Sequence, residues 1–173
     1  MKVILMGYMG SGKSTIGLQL AKILNIPFID LDAFIETKEL SSIPELFKNK
    51  GEIYFRKIET SYLSEVLDDT QSSVIALGGG TPCYGTNLKL ILNAHDSKSI
   101  YLKMSIPSLV KRLELEKSKR PLISHINTQD DLTEFIGKHL FERSPYYSQA
   151  NIIMSVDEKS VDEIVEKIVL QLF

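Results

Sequence analysis

The sequence predicts an α/β protein built on a parallel sheet, and three observations carry that expectation. Short, unbroken apolar runs recur along the chain, the pattern of strands buried on both faces. Segments with apolar residues at helical spacing lie between them, so strands and helices alternate. The first strand ends in a glycine-rich turn that opens directly into a helix.

The first strand covers 3–6. A helix follows over 14–24, with Ile16, Leu20, Ile23 and Leu24 at helical spacing, and Asn25, Ile26 and Pro27 end it. Residues 27–31 form the second strand. Short helices are expected over 33–39 and 42–50, the second with Pro44 in its first turn, where proline is tolerated. A longer helix over 54–67 carries Phe55, Ile58, Tyr62 and Leu63. The third strand, 73–77, stops at Gly78-Gly79-Gly80. A helix over 86–94, a fourth strand over 99–103 and a helix over 107–116 come next. Residues 117–130 are polar, contain Pro121 and lack periodicity, which predicts a mobile loop. A helix over 132–147, a fifth strand over 152–155 and an amphipathic helix over 160–172 complete the chain.

A chain of 173 residues suits one domain, 1–173, and leaves little room for a second. Hydrophobic residues at 43% and charged residues at 24% are ordinary for a packed globule. A net charge of −2 excludes the basic surplus of a general nucleic-acid binder. Cys83 is the single cysteine, so no internal disulfide forms. The apolar N-terminus runs straight into glycines and Lys13, which marks a strand rather than a signal peptide. No apolar stretch reaches membrane-spanning length. A cytoplasmic monomer is expected, with a small-molecule substrate and neither nucleic acid nor membrane as partner.

Gly7-Tyr8-Met9-Gly10-Ser11-Gly12-Lys13-Ser14 matches G-x-x-x-x-G-K-[ST], the phosphate-binding loop. Glycines let successive N–H groups turn inward around phosphate oxygens, and the helix that follows points its positive end at the same place. Gly10, Ser11, Gly12, Lys13, Ser14 and Thr15 are the ATP-binding candidates. Lys13 reaches the β- and γ-phosphates, Ser14 ligates Mg²⁺, and Thr15 lies near the α-phosphate. A glycine-rich turn that binds nothing is the alternative, but the motif sits between a buried strand and a helix, as phosphate binding requires. No N-K-x-D motif for a guanine base is present, nor the apolar strand ending in adjacent acids of larger ATPases. A small-molecule kinase remains.

Asp30-Leu31-Asp32 stands at the end of the second strand, on the sheet edge where ligands bind in α/β folds. Spaced i, i+2, the two acids share one face of an extended segment. One can support Mg²⁺ and the other can orient an attacking hydroxyl. Asp32 can equally cap the next helix. Arg56 and Glu59 share a helix face, either as a surface pair worth about 0.3–0.5 kcal/mol or as a guanidinium held to grip a carboxylate. Gly78, Gly79 and Gly80 allow a close approach of backbone to ligand, or a plain tight turn. Arg120 lies in the polar loop, as a lid arginine or a solvated one. Arg143 is a second anion clamp or a helix C-terminal charge. His95, His125 and His139 lack metal-ligand spacing and are expected at the surface. Cys83 is expected to be a packed thiol.

The ordered set G-x-x-G-S-G-K-S-T, D-L-D, F-R-K-I-E, A-L-G-G-G, R-P-L-I and E-R-S-P-Y-Y resembles the shikimate kinase family across essentially the whole chain. That resemblance implies a three-layer α/β/α P-loop kinase fold. It implies a five-stranded parallel sheet in the order 2-3-1-4-5, an acceptor-binding region over about 32–62 and a mobile lid over about 114–131. It also implies ATP and Mg²⁺ as cofactors, and conversion of shikimate to 3-phosphoshikimate on the route to chorismate and aromatic amino acids. By motif position, Lys13 and Arg120 stabilise the transferring phosphoryl group. Ser14 and Asp30 serve the metal, and Asp32 binds the shikimate hydroxyls as base or orienter. Arg56 and Arg143 grip the carboxylate, Glu59 positions Arg56, and Gly78, Gly79 and Gly80 line the substrate. Arg112 is a candidate near the adenine. Thr81-Pro82-Cys83 after the glycines departs from the small or aliphatic residues common in the family. Competing expectations are a gluconate kinase-like enzyme, a nucleoside monophosphate kinase, and a regulatory module that binds nucleotide without turnover.

Overall fold

The computed structural model describes residues 1–173, apart from the side chain of Lys119. The strands β1 (Lys2–Met6), β2 (Phe28–Asp30), β3 (Ser73–Ala76), β4 (Ser97–Lys103) and β5 (Ile152–Ser155) form one sheet in the order β2-β3-β1-β4-β5. Every pairing is parallel. The helices are α1 (Lys13–Leu24), α2 (Leu31–Glu39), α3 (Ile43–Asp68), α4 (Asn87–Asn93), α5 (Ile106–Glu116), α6 (Gln129–Tyr147) and α7 (Val161–Leu172). Among the described residues no helix is long and apolar enough to cross a membrane.

Central β1 is buried along its whole length, which explains its unbroken apolar run: both faces of a parallel sheet are covered. Helix α1 lies very close to it. A Cβ on Gly17 would come within 2.6 Å of the Phe28 ring and 3.1 Å of Leu5, so the glycine sets the spacing of helix and sheet. The α2–α3 corner is tied by side chains. Glu36 accepts from the backbone N–H of Ile43 at 2.8 Å, and Glu39 accepts from the Tyr62 and Tyr54 hydroxyls at 2.7 and 2.8 Å. Ser42 and Glu45 form a reciprocal capping box at the start of α3.

Three local expectations need correction. First, the two helices expected over 42–50 and 54–67 run together as α3, interrupted at Gly51, whose φ of 84° only glycine adopts readily. Second, β2 ends at Asp30 and α2 begins at Leu31, so Asp30 and Asp32 do not share a face of an extended segment. Asp30 is the N-cap, accepting from the Ala33 N–H at 3.3 Å, and Asp32 lies in the first helical turn. The helix starts earlier because Asp30 offers its carboxylate as soon as the strand ends. Third, 117–130 is not without structure. A 3₁₀ turn spans Lys117–Lys119, and Ile123 and Ile126 are buried at 0% and 7% exposure. These two residues anchor the segment to the core.

Candidate active site

The carboxyl ends of all five strands meet one cleft. Its main cavity, about 510 Å³, is lined by the loop after β1, by Asp30 and Asp32, by Gly78 and Gly79, and by Arg112 and Arg120. Gly10 and Gly12 in that loop adopt φ values of 80° and 93°, conformations that side chains resist. No side chain caps the N-terminus of α1. Its free N–H groups open onto the cavity, and Ser11 Oγ is buried there without a hydrogen-bond partner. Orphan donors and a positive helix end are what an anionic phosphate satisfies. Lys13 Nζ donates to the carbonyls of Gly7 and Tyr8 at 2.9 and 3.0 Å. Burial pushes its ammonium down to about 8, against the opposing pull of Asp32. A desolvated ammonium of this kind gains much from an anion. The loop therefore fits a nucleotide triphosphate.

Ser14 Oγ donates to Asp30 Oδ2 at 2.7 Å, which puts one hydroxyl and one carboxylate beside the phosphate loop. Among the described residues no cluster of three or more His, Cys, Asp or Glu could hold a metal alone. That donor set suits Mg²⁺, which takes one or two protein ligands and completes its shell with phosphate and water.

Asp32 lies next to this pair. Burial raises its carboxyl to about 6, helped by the nearby charges of Asp30 and Glu59 and opposed by Lys13. The three glycines after β3 then show what they are for. None has a positive φ, so the turn itself does not demand them. Gly78 and Gly80 instead make room for functional side chains, and Gly79 for the phosphate-loop backbone, where a Cβ would lie 3.3 Å from the Met9 nitrogen. A Cβ on Gly78 would meet Asp32 Oδ1 at 2.6 Å, one on Gly79 would lie 3.7 Å from Arg143, and one on Gly80 would lie 3.2 Å from Arg56. The base candidate and both arginines thus converge on three consecutive residues.

Arg56 is fixed tightly. It donates through NH1 to Glu59 Oε2 at 2.8 Å, and its guanidinium lies 3.6 Å from the centre of the Tyr84 ring. Glu59 is 1% exposed, so the surface ion-pair alternative is wrong. Arg143 has no carboxylate within ion-pair distance among the described residues, and its charge is felt by Lys13 and Tyr147. Arg120 donates to Glu116 through Nε and NH2 at 2.9 and 2.5 Å. Arg112 donates to the Gly10 carbonyl at 2.9 Å and so braces the phosphate loop. Thr15 is exposed at the start of α1, beside the cavity it lines.

A model of the shikimate kinase family matches residues 9–173. The chain belongs to the shikimate kinase family. The shikimate kinase of Flavobacterium johnsoniae is 50% identical over 167 residues, 96% of each chain. The crystal structure of the shikimate kinase from Bacteroides thetaiotaomicron superposes with a TM-score of 0.89 at 35% identity, covering 99% of this chain and 97% of that one. The Acinetobacter baumannii enzyme in complex with shikimate gives a TM-score of 0.87 at 28% identity, covering 99% and 92%. The resemblance read from the motifs is therefore correct, as are the three-layer fold and the strand order. Membership in this family makes the chain an ATP-dependent kinase.

Sequence reasoning missed three contacts at or behind the cavity wall. His139 was expected at the surface, but it is half-buried and hydrogen-bonded to the Tyr8 hydroxyl at 2.9 Å. Tyr147 donates its hydroxyl to the Gly79 carbonyl. Glu116 holds Arg120. The i, i+4 spacing of Glu116 and Arg120 was the one signal available in advance. Cys83 is partly buried, and burial raises its thiol, as a packed cysteine requires.

Proposed function

We propose that this chain transfers the γ-phosphoryl group of ATP to the 3-hydroxyl of shikimate, giving 3-phosphoshikimate on the route to chorismate. One observation carries the choice of acceptor. Arg56 and Arg143 meet Asp32 at Gly78, Gly79 and Gly80, at the mouth of the phosphate-loop cavity. Two guanidiniums suit a carboxylate, and a carboxylate base beside them suits a hydroxyl of the same small molecule.

In this reading one domain, 1–173, carries an acceptor-binding region over about 32–62 and a lid over about 114–131. Arg56 and Arg143 fix the acceptor by its carboxylate, with Gly78, Gly79 and Gly80 against its ring. Asp32 accepts the proton of the 3-hydroxyl as that oxygen attacks the γ-phosphorus. The bond to the β–γ bridging oxygen breaks, and ADP leaves with that electron pair. Gly10, Ser11, Gly12, Lys13, Ser14 and Thr15 hold the phosphates. Lys13 and Arg120 neutralise charge on the moving group, and alignment supplies much of the remaining acceleration. Ser14 and Asp30 would hold Mg²⁺, which offsets charge across the β- and γ-phosphates when bound. A monomeric, cytoplasmic enzyme belongs to the same reading.

The test is a coupled ADP-release assay with Mg-ATP and shikimate, gluconate or no acceptor. Release that depends strictly on shikimate is expected. Release with gluconate alone, or none beyond the acceptor-free rate, overturns the assignment.

A further inference from the structure

The first residue after the triple glycine, Thr81, reaches into a buried polar chain. Thr81 is 0% exposed, and its hydroxyl donates to Glu59 Oε1 at 2.8 Å. The other carboxylate oxygen of Glu59 accepts from Arg56 at 2.8 Å. Asn87 holds the far end: its Nδ2 donates to the Thr81 carbonyl at 2.9 Å, and its Oδ1 accepts from Thr60 at 2.7 Å. The same Thr60 hydroxyl lies 3.0 Å from the Arg56 backbone carbonyl, which competes with Asn87 for its single proton. The chain closes on itself around Arg56. Every member other than Arg56 and Thr60 is fully or nearly fully buried.

A buried carboxylate needs its oxygens satisfied, and a half-satisfied one moves or drags its partner. With Thr81 in place, Glu59 presents one oxygen to Arg56 in a single orientation. Arg56 is then pressed between Tyr84 and Gly80 with NH2 beside Gly80. The geometry assigns Thr81 as a positioning residue for the acceptor site, one that sets the Arg56 guanidinium through Glu59, with Asn87 holding Thr81. This inference rests on the proposal that Arg56 grips the acceptor carboxylate.

The experiment compares Thr81→Val, Thr81→Ala and Thr81→Ser, alone and with Arg56→Ala, by steady-state kinetics and thermal melting. Removing the hydroxyl is expected to raise the shikimate KM about tenfold, while kcat and the ATP KM stay within about twofold. Thr81→Ser, which keeps the donor, is expected to restore the KM. In the Arg56→Ala background, Thr81→Ala is expected to add nothing further. Thr81→Ala covers the case in which valine does not fold at this site. An unchanged shikimate KM in Thr81→Ala, or an equal loss in Thr81→Ser, overturns the inference. So does a rise in KM that is additive with Arg56→Ala. If Arg56→Ala itself leaves the shikimate KM unchanged, the carboxylate clamp is wrong, which is a separate failure.

Discussion

Asp32 shows how far one residue's chemistry follows from where it sits. Its carboxyl, raised to about 6 by burial, is ionised at neutral pH yet basic enough to take a proton. kcat/KM for shikimate should therefore fall about tenfold per unit as pH drops below about 6, read from a pH–rate profile. The same shift has a sign for stability. An unfolded aspartate titrates near 3.9, so the folded protein binds more protons between about 4 and 6. The contribution of Asp32 to stability declines as pH rises through that window, and at neutral pH its charge is a cost. Asp32→Asn should lose at least about 100-fold in turnover and yet melt higher, by about 1–2 kcal/mol of added stability at pH 7. Kinetics and calorimetry on one sample check both halves. A variant that loses activity and stability together would mean that Asp32 serves the fold.

Among the elements, α1 combines function at one end with packing along its length. Its N-terminus supplies the phosphate loop's free N–H groups, and Gly17 in its middle meets the sheet. Alanine is the better helix former by about 1 kcal/mol, which alone would make Gly17→Ala stabilising. A methyl group 2.6 Å from the Phe28 ring reverses that sign. Gly17→Ala should lose about 1–3 kcal/mol, measured by urea unfolding, because a crowded core cannot yield cheaply. The turn after β3 obeys the same logic: its glycines are defined by what stands opposite them. That opposition was not legible in A-L-G-G-G, where a tight turn and a ligand contact looked alike.

For the molecule as a whole, the ends of the five strands, with Arg112 and Arg120, line one cleft. A ligand that binds only the folded form stabilises it by about 2.7 kcal/mol at 100 times its Kd. A non-hydrolysable ATP analogue with Mg²⁺ should therefore raise Tm by about 5 °C or more, read by differential scanning fluorimetry. Lys13→Ala should remove most of that shift without unfolding the protein. A full shift in Lys13→Ala would mean that the nucleotide does not lie on this loop.

Periodicity determined the strands and most helices, because apolar spacing reports directly which face of an element is covered. The phosphate loop was legible for a related reason: its contacts lie within eight residues of one another, so spacing and geometry are the same information. Composition likewise gave a net charge of −2, without a basic surplus. Order along the chain pointed to Arg56, Arg120 and Arg143 as site candidates, but only by resemblance. What they touch depended on packing. Tyr8 meets His139 across 131 positions, and Tyr147 meets Gly79 across 68. Thr81 reaches Glu59 only because α3 and the turn after β3 pack together. Hydrogen bonds of this range carry no local periodicity. They exist only once the sheet order has brought distant elements to the same edge, and so the tertiary structure alone decided which carboxylate is buried, which cap is used and which arginine is held.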